Sequence, residues 1–204
     1  MLDTHARKYV QPAIDVAAIA LIKLKLTPTN VTMISLVVGL GSVAALFTQR
    51  LILAVILLWL SGLFDALDGT VARKTDSSSN IGAFLDICFD RIIELGIIIG
   101  LAFIQPDLGL MLVILTSTIV MSLTIFLTVS SFAKNNGKKS FYYQAGLAER
   151  SEGFIFFSLM IIWPQMRMVI GYIFAITVLI TAIQRFYEGI RILRSQNNEE
   201  DNYD

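Results

Sequence analysis

One cysteine and one histidine among 204 residues leave several kinds of chemistry without a foothold. Cys88 alone cannot close an intrachain disulfide. Inside an apolar run it reads as a small buried side chain rather than a reactive thiol. His5 has no neighbours with which to hold a metal and reads as a surface residue. Charge is scarce too. Asp, Glu, Lys and Arg make up 16% of the chain and cancel to a formal net charge of zero, while 55% is hydrophobic. That balance lies outside the range of ordinary soluble domains, and the mean hydropathy of +0.71 agrees. Asn30-Val31-Thr32 has the form of a glycosylation acceptor, but it falls on the side assigned below to the cytoplasm and is discounted. There is no internal repeat, and neither a soluble domain nor a cleavable signal is expected.

What the chain does have is apolar length. Runs with few charges cover 31–47, 51–64, 82–104, 109–132, 153–163 and 169–186. A helix needs about 20 apolar residues to cross a bilayer core. The two shorter runs reach that length with their flanks, through Ala72 and back to Gly146. The expectation is therefore an all-α integral membrane protein with six transmembrane helices. Fourteen of the sixteen Lys and Arg residues fall on one side of such an arrangement, leaving Arg50 and Arg167 on the other. The positive-inside rule then puts both termini, and the aspartates described next, on the cytoplasmic side.

Three segments follow from this reading. Residues 1–26 mix charges with Ile14, Ala17, Ala18, Leu21 and Ile22, which suggests an amphipathic helix lying in the membrane interface. Residues 27–195 form the six-helix domain. Residues 196–204 are acidic and polar and are expected to be a disordered tail.

Four aspartates stand out against this hydrocarbon. Asp65 and Asp68 are three residues apart near the end of the second run; Asp86 and Asp90 are four apart near the start of the third. Each spacing puts its pair on one helix face. The short polar loop between the runs makes the two helices antiparallel neighbours, so all four carboxylates can converge at one edge. Without cations they would repel one another or take up protons. Oxygen-only ligands suit Mg²⁺, Mn²⁺ or Ca²⁺, and four carboxylates suit two such ions, an arrangement used for displacement at phosphorus. Gly69, Ala72 and Gly82 leave room for a ligand, and Arg73 offers a fixed positive charge to a phosphate. A lone aspartate at a helix end is usually a cap or a solvated charge; four with glycine and arginine between them are harder to explain that way. Glu94 extends the stripe by one turn, as support for the site or as a helix contact.

The pattern Asp65-x-x-Asp68-Gly69-x-x-Ala72-Arg73, then Gly82-x-x-x-Asp86-x-x-x-Asp90, resembles the full signature of the CDP-alcohol phosphotransferase family, with all eight specified positions present. The resemblance implies a membrane-embedded phospholipid synthase with cytoplasmic termini, usually a homodimer. It implies that Asp65, Asp68, Asp86 and Asp90 hold two divalent cations, Mg²⁺ or Mn²⁺, and that Asp90 is also the general base. Gly69, Ala72, Arg73 and Gly82 would line the CDP pocket, joined by Asn30 and Thr32 from a similar segment. The partners implied are CDP-diacylglycerol, CMP, a small polar alcohol and membrane lipids, with no nucleic acid.

The stretch 145–153 resembles the start of span five in phosphatidylinositol phosphate synthases. It keeps Glu149, Arg150 and Glu152 and has Gly153 where a second arginine would stand. Arg150 is the better candidate for touching the acceptor alcohol. Lys134, Lys138 and Lys139 could attract an anionic acceptor, or simply obey the positive-inside rule and meet anionic lipid. Inositol phosphate, glycerol phosphate and serine all remain open as acceptors. The alternatives are a CDP-choline or CDP-ethanolamine enzyme acting on diacylglycerol, and a divalent-cation transporter. A transporter is expected to carry acids near the bilayer midplane on several helices, whereas here they gather at one edge.

Overall fold

A computed structural model describes residues 2–132 and 150–200, with side chains over 10–132 and 150–196. Among the described residues there are seven α-helices and no strand: α1 (Leu2–Lys23), α2 (Pro28–Phe47), α3 (Leu51–Lys74), α4 (Asn80–Ile104), α5 (Gly109–Phe132), α6 (Arg150–Ile162) and α7 (Arg167–Glu200). Single 3₁₀ turns, Pro106–Leu108 and Pro164–Met166, precede α5 and α7. Four segments are long and apolar enough to cross a membrane: Pro28–Phe47, Leu51–Lys74, Pro106–Phe132 and Pro164–Gln196. The other two expected spans differ for identifiable reasons. The stretch 86–94 of α4 carries Asp86, Asp90, Arg91 and Glu94, and the described part of α6 has only 13 residues. The last helix continues through Glu200, into the stretch whose composition suggests a disordered tail.

Local chemistry sets the helix ends. Thr27 caps α2, accepting a hydrogen bond from the Asn30 backbone N–H at 3.3 Å, and Pro28 occupies the first turn, where its missing N–H costs nothing. Ser79 caps α4 in the same way, accepting from the Gly82 N–H at 3.1 Å. Thus both helices that open towards the aspartates begin at hydroxyl caps.

Buried serines join α2 to α3. Ser35 Oγ donates to the Ser61 carbonyl at 2.9 Å, and Ser61 Oγ returns a bond to the Ser35 carbonyl at 3.0 Å. Nearer the turn, Ser42 Oγ donates to the Ala54 carbonyl at 2.7 Å. Small polar residues let apolar helices approach closely while their hydroxyls find partners. The main core then runs through Leu46, Leu58, Ile97, Leu101, Leu115, Phe157 and Met160, all essentially buried. At the far end from the aspartates, the buried Arg167 donates to the carbonyls of Met160 and Ile161 at 2.7 and 3.3 Å and to Gln105 Oε1 at 3.1 Å. It satisfies the last carbonyls of α6 and ties the two distal turns together.

A second, smaller core seats α1 on the aspartate-bearing end of α3. Ile14 and Ala18 pack with Val31, Leu67 and Val71. Beside this seam Lys74 Nζ lies 3.3 Å from Asp15 Oδ1, which also accepts from Gln11 Nε2 at 3.0 Å. The Gln11 hydrogen bond, followed by Lys74, holds the Asp15 carboxyl below its ordinary range.

Candidate active site

The turn 75–79 between α3 and α4 reverses the chain tightly enough to bring the acids together. Carboxylate oxygens of Asp65, Asp68 and Asp86 all lie within 4.8 Å of one another. Asp68 is the most enclosed, with 8% of its surface exposed. Asp90, one helical turn further along α4, stands outside this trio. Its Oδ1 is 2.7 Å from Nη2 of Arg150.

Arg150 links the groups. Its Nη1 pairs with Asp65 and lies 3.8 Å from Asp86 Oδ1. The guanidinium carbon is 5.4 Å from the centre of the Phe154 ring on the same helix. The position of α6 makes this possible. Phe154 packs directly over Gly62 of α3, where a Cβ would come 2.6 Å from the ring. Trp59 Nε1 adds a hydrogen bond to Ser158 Oγ at 3.0 Å.

A purely structural ion network would pair its charges. Here one guanidinium faces Asp65, Asp86 and Asp90, and buried oxygens Asp68 Oδ2 and Asp86 Oδ1 have no hydrogen-bond partner. Arg91 is paired with Glu94 on its own helix. Converging buried acceptors that lack donors are suited to receive a cation. The residues therefore fit a hard divalent ion, with Asp65, Asp68 and Asp86 as its holders.

Beside the acids opens a cavity of about 660 Å³. Of the expected nucleotide contacts, Thr32, Gly69, Ala72, Arg73 and Gly82 line it, together with Asp68 and Asp86. Arg73 Nη2 donates to Thr70 Oγ1 at 2.9 Å. Gly69 and Gly82 keep the walls bare: a Cβ on either would come 3.3 Å from Arg73 or Ser79. Asn30 is not among the lining residues. It is exposed on the first turn of α2, while Pro28, Thr29 and Thr32 of that helix end face the cavity.

Other walls carry no motif. Lys25 and Leu26 come from the turn after α1, and Thr75, Ser77 and Ser78 from the loop between the two aspartate pairs. The only sequence signal for them is the hydroxyl-rich run between the halves of the signature. No sequence motif marks Arg185 either. It reaches between α7 and α5, donating to Ser122 Oγ at 3.1 Å, with its guanidinium carbon 5.2 Å from the Phe126 ring centre. Arg150, expected at the acceptor, lies among the aspartates. Lys134, Lys138 and Lys139 lie outside the described residues.

The eight-position pattern and the geometry it produces agree with the result of comparison: the chain belongs to the CDP-alcohol phosphatidyltransferase family, whose model matches residues 25–184. Family members are phospholipid-synthesising transferases of the membrane. Among relatives, the archaetidylinositol phosphate synthase of Pyrococcus horikoshii is 31% identical over 189 residues, covering 93% of this chain and 96% of that one. The phosphatidylinositol phosphate synthase of Corynebacterium glutamicum is 40% identical over 95 residues; the match spans 46% of this chain and 43% of the relative's length. The phosphatidylinositol phosphate synthase of Mycobacterium tuberculosis, in complex with manganese and citrate, superposes with a TM-score of 0.71 at 25% identity, over 86% of this chain and 88% of that one. Its structure with CDP-DAG bound has the same fold at the same TM-score, 24% identical, covering 86% and 92%.

Proposed function

We propose that this protein transfers a phosphatidyl group from CDP-diacylglycerol to the hydroxyl of a small polar alcohol and releases CMP. One observation carries the reading. Three carboxylates converge within 4.8 Å at the edge of a cavity whose walls include Gly69, Ala72, Arg73 and Gly82. Sites for metal, nucleotide and diphosphate would then be contiguous. The relatives' names support the donor class.

Divalent cations held by Asp65, Asp68, Asp86 and Asp90 would neutralise the donor's diphosphate and stabilise departing CMP. The chain's own residues do the rest. Arg73 gives the diphosphate a fixed cationic partner. The bare Gly69 and Gly82 surfaces let the nucleotide approach the backbone. Asp90 accepts the proton of the acceptor hydroxyl as that oxygen attacks the β-phosphorus and the bond to CMP breaks. Arg150 fixes where Asp90 points and is placed to meet an acceptor that carries a phosphate.

For the acceptor, inositol phosphate is the first candidate, on the names of the relatives and on Arg150; glycerol phosphate and serine follow. Gly153 replaces a second guanidinium and lies buried beside Phe174, so the acceptor's phosphate would meet fewer fixed charges at this point of α6.

The membrane arrangement belongs to the same proposal. Helices α4 and α6 cross together with the four apolar segments, giving six spans with cytoplasmic termini. Helix α1 lies along the interface, its outer face formed by the exposed Val16 and Ile19. The protein works as a homodimer. The site then sits where lipid tails stay in hydrocarbon and the nucleotide stays in water.

The test is release of CMP by purified protein supplied with CDP-diacylglycerol, Mn²⁺ or Mg²⁺, and a panel of acceptors. Metal-dependent release with one acceptor is the expected result. No release with any acceptor would overturn the reading.

A further inference from the structure

Lys25 occupies a backbone conformation that lysine disfavours, on the wall of the nucleotide cavity. Its φ is +59°. The turn closes α1 with two characteristic bonds: the Lys25 N–H to the Ile22 carbonyl at 2.9 Å, and the Leu26 N–H to the Leu21 carbonyl at 3.1 Å. In this helix-ending motif the left-handed position usually belongs to glycine, which has no Cβ to strain. A side chain kept at such a position invites a functional explanation.

The simplest alternative is that a lysine complements the dipole at the end of α1. Two comparisons within the chain weaken it. Lys23 already supplies a cation in the last turn of α1. The corresponding left-handed positions after α2 and α3 are held by Gln49 (φ +56°) and Asp76 (φ +50°), neither of them cationic. Ending a helix this way in this protein does not require a positive charge.

What distinguishes Lys25 is its place. It lines the cavity that also contains Arg73, Asp68 and Asp86, and it enters from the turn between α1 and α2, whereas Arg73 comes from α3. The starts of α2 and α4, at Pro28 and Gly82, border the same space. Lys25 and Arg73 are the two basic side chains on the wall of this cavity, so a diphosphate bound beside the aspartates would meet one on each side.

We propose that Lys25 is a phosphate-binding residue of this cavity, contacting the diphosphate of the bound nucleotide. The inference rests on the cavity's being the CDP site. Its own content is a second basic contact outside the eight-position signature, contributed by the segment that joins α1 to the bundle.

The unusual backbone makes the test decisive, because Lys25→Gly removes the charge while relieving the strain. Full-length protein in detergent with Mn²⁺ is titrated with CDP, and thermal midpoints are measured alongside. For Lys25→Gly we expect a midpoint unchanged or raised by up to about 4 °C, with CDP affinity lowered roughly 5- to 10-fold. Lys25→Gln, still strained but uncharged, should lose affinity to the same degree. Lys25→Arg should bind like the wild type. Added salt should narrow the gap between wild type and Lys25→Gly.

Wild-type affinity in Lys25→Gly overturns the proposal. So does an unchanged CDP affinity together with activity that no longer responds to anionic lipid in vesicles, since Lys25 would then serve a lipid headgroup. If the wild type itself fails to bind CDP in the presence of metal, the reading of the cavity fails first and this inference with it.

Discussion

Arg150 Nη2 and Asp90 Oδ1 lie 2.7 Å apart, joining the first residue of α6 to the fourth aspartate of the site on α4. The other arm of the same guanidinium pairs with Asp65 on α3. One side chain therefore registers three helices against each other at the point where the chemistry is proposed to occur.

The proton-accepting role of Asp90 is the first thing to test. Asp90→Asn keeps the shape and the hydrogen bond capacity but loses the basic oxygen. Turnover should fall by about 10²- to 10⁴-fold, while CDP binding, measured by titration, stays within a factor of a few. Near-normal CMP release would remove Asp90 from that role.

Asp65 and Asp68 are expected to act on metal rather than on the proton. Chelation should abolish CMP release and added Mn²⁺ should restore it. Asp65→Asn and Asp68→Asn should raise the Mn²⁺ concentration needed for half-maximal activity by at least about 10-fold, by analogy with the cost of losing a ligand or its support. Unchanged metal dependence in both variants would place the ions elsewhere.

Arg150 both steadies Asp90 and offsets negative charge, and Lys cannot replace both functions. An ammonium lacks the planar fork that spans Asp65 and Asp90. Arg150→Lys and Arg150→Ala should both lose most activity. With the guanidinium gone, a divalent ion has more uncompensated carboxylate to neutralise. Mn²⁺ should therefore raise the thermal midpoint of Arg150→Ala more than that of the wild type; an equal or smaller rise would argue against charge sharing.

Gly62 sets the approach of α6. Phe154 already occupies the space of a side chain there, so Gly62→Leu must displace the ring and with it the first turn of α6. Overpacking of this kind typically costs about 1–3 kcal/mol. We expect a lower thermal midpoint and reduced turnover, both partly restored when Phe154→Ala is added. Independent, additive effects of the two substitutions would show that the pair does not set the position of Arg150.

Much of the site was legible in the sequence because helix periodicity is a local property. Spacings of three and four residues put Asp65 with Asp68 and Asp86 with Asp90, and a short polar turn left the two helices little choice but to lie antiparallel. The glycines and Arg73 stand between the acids in the eight-position pattern, and its resemblance to the family marked them; they line the cavity. Asn30 does not. Its neighbours Pro28, Thr29 and Thr32 face the cavity, whereas Asn30 is exposed on the first turn of α2.

The sequence by itself determined an all-helical, membrane-type chain and the pairing of acids on two helix faces, because hydrophobic runs and helical spacing depend only on near neighbours. Tertiary structure alone decided that Arg150, 60 residues beyond Asp90 in the chain, enters the acid cluster, and that the turn after α1 forms a cavity wall. Those positions follow from Phe154 settling on Gly62 and from Ile14 and Ala18 packing on Leu67 and Val71. Such contacts between distant segments depend on the fit of whole helix surfaces, and no local pattern encodes them.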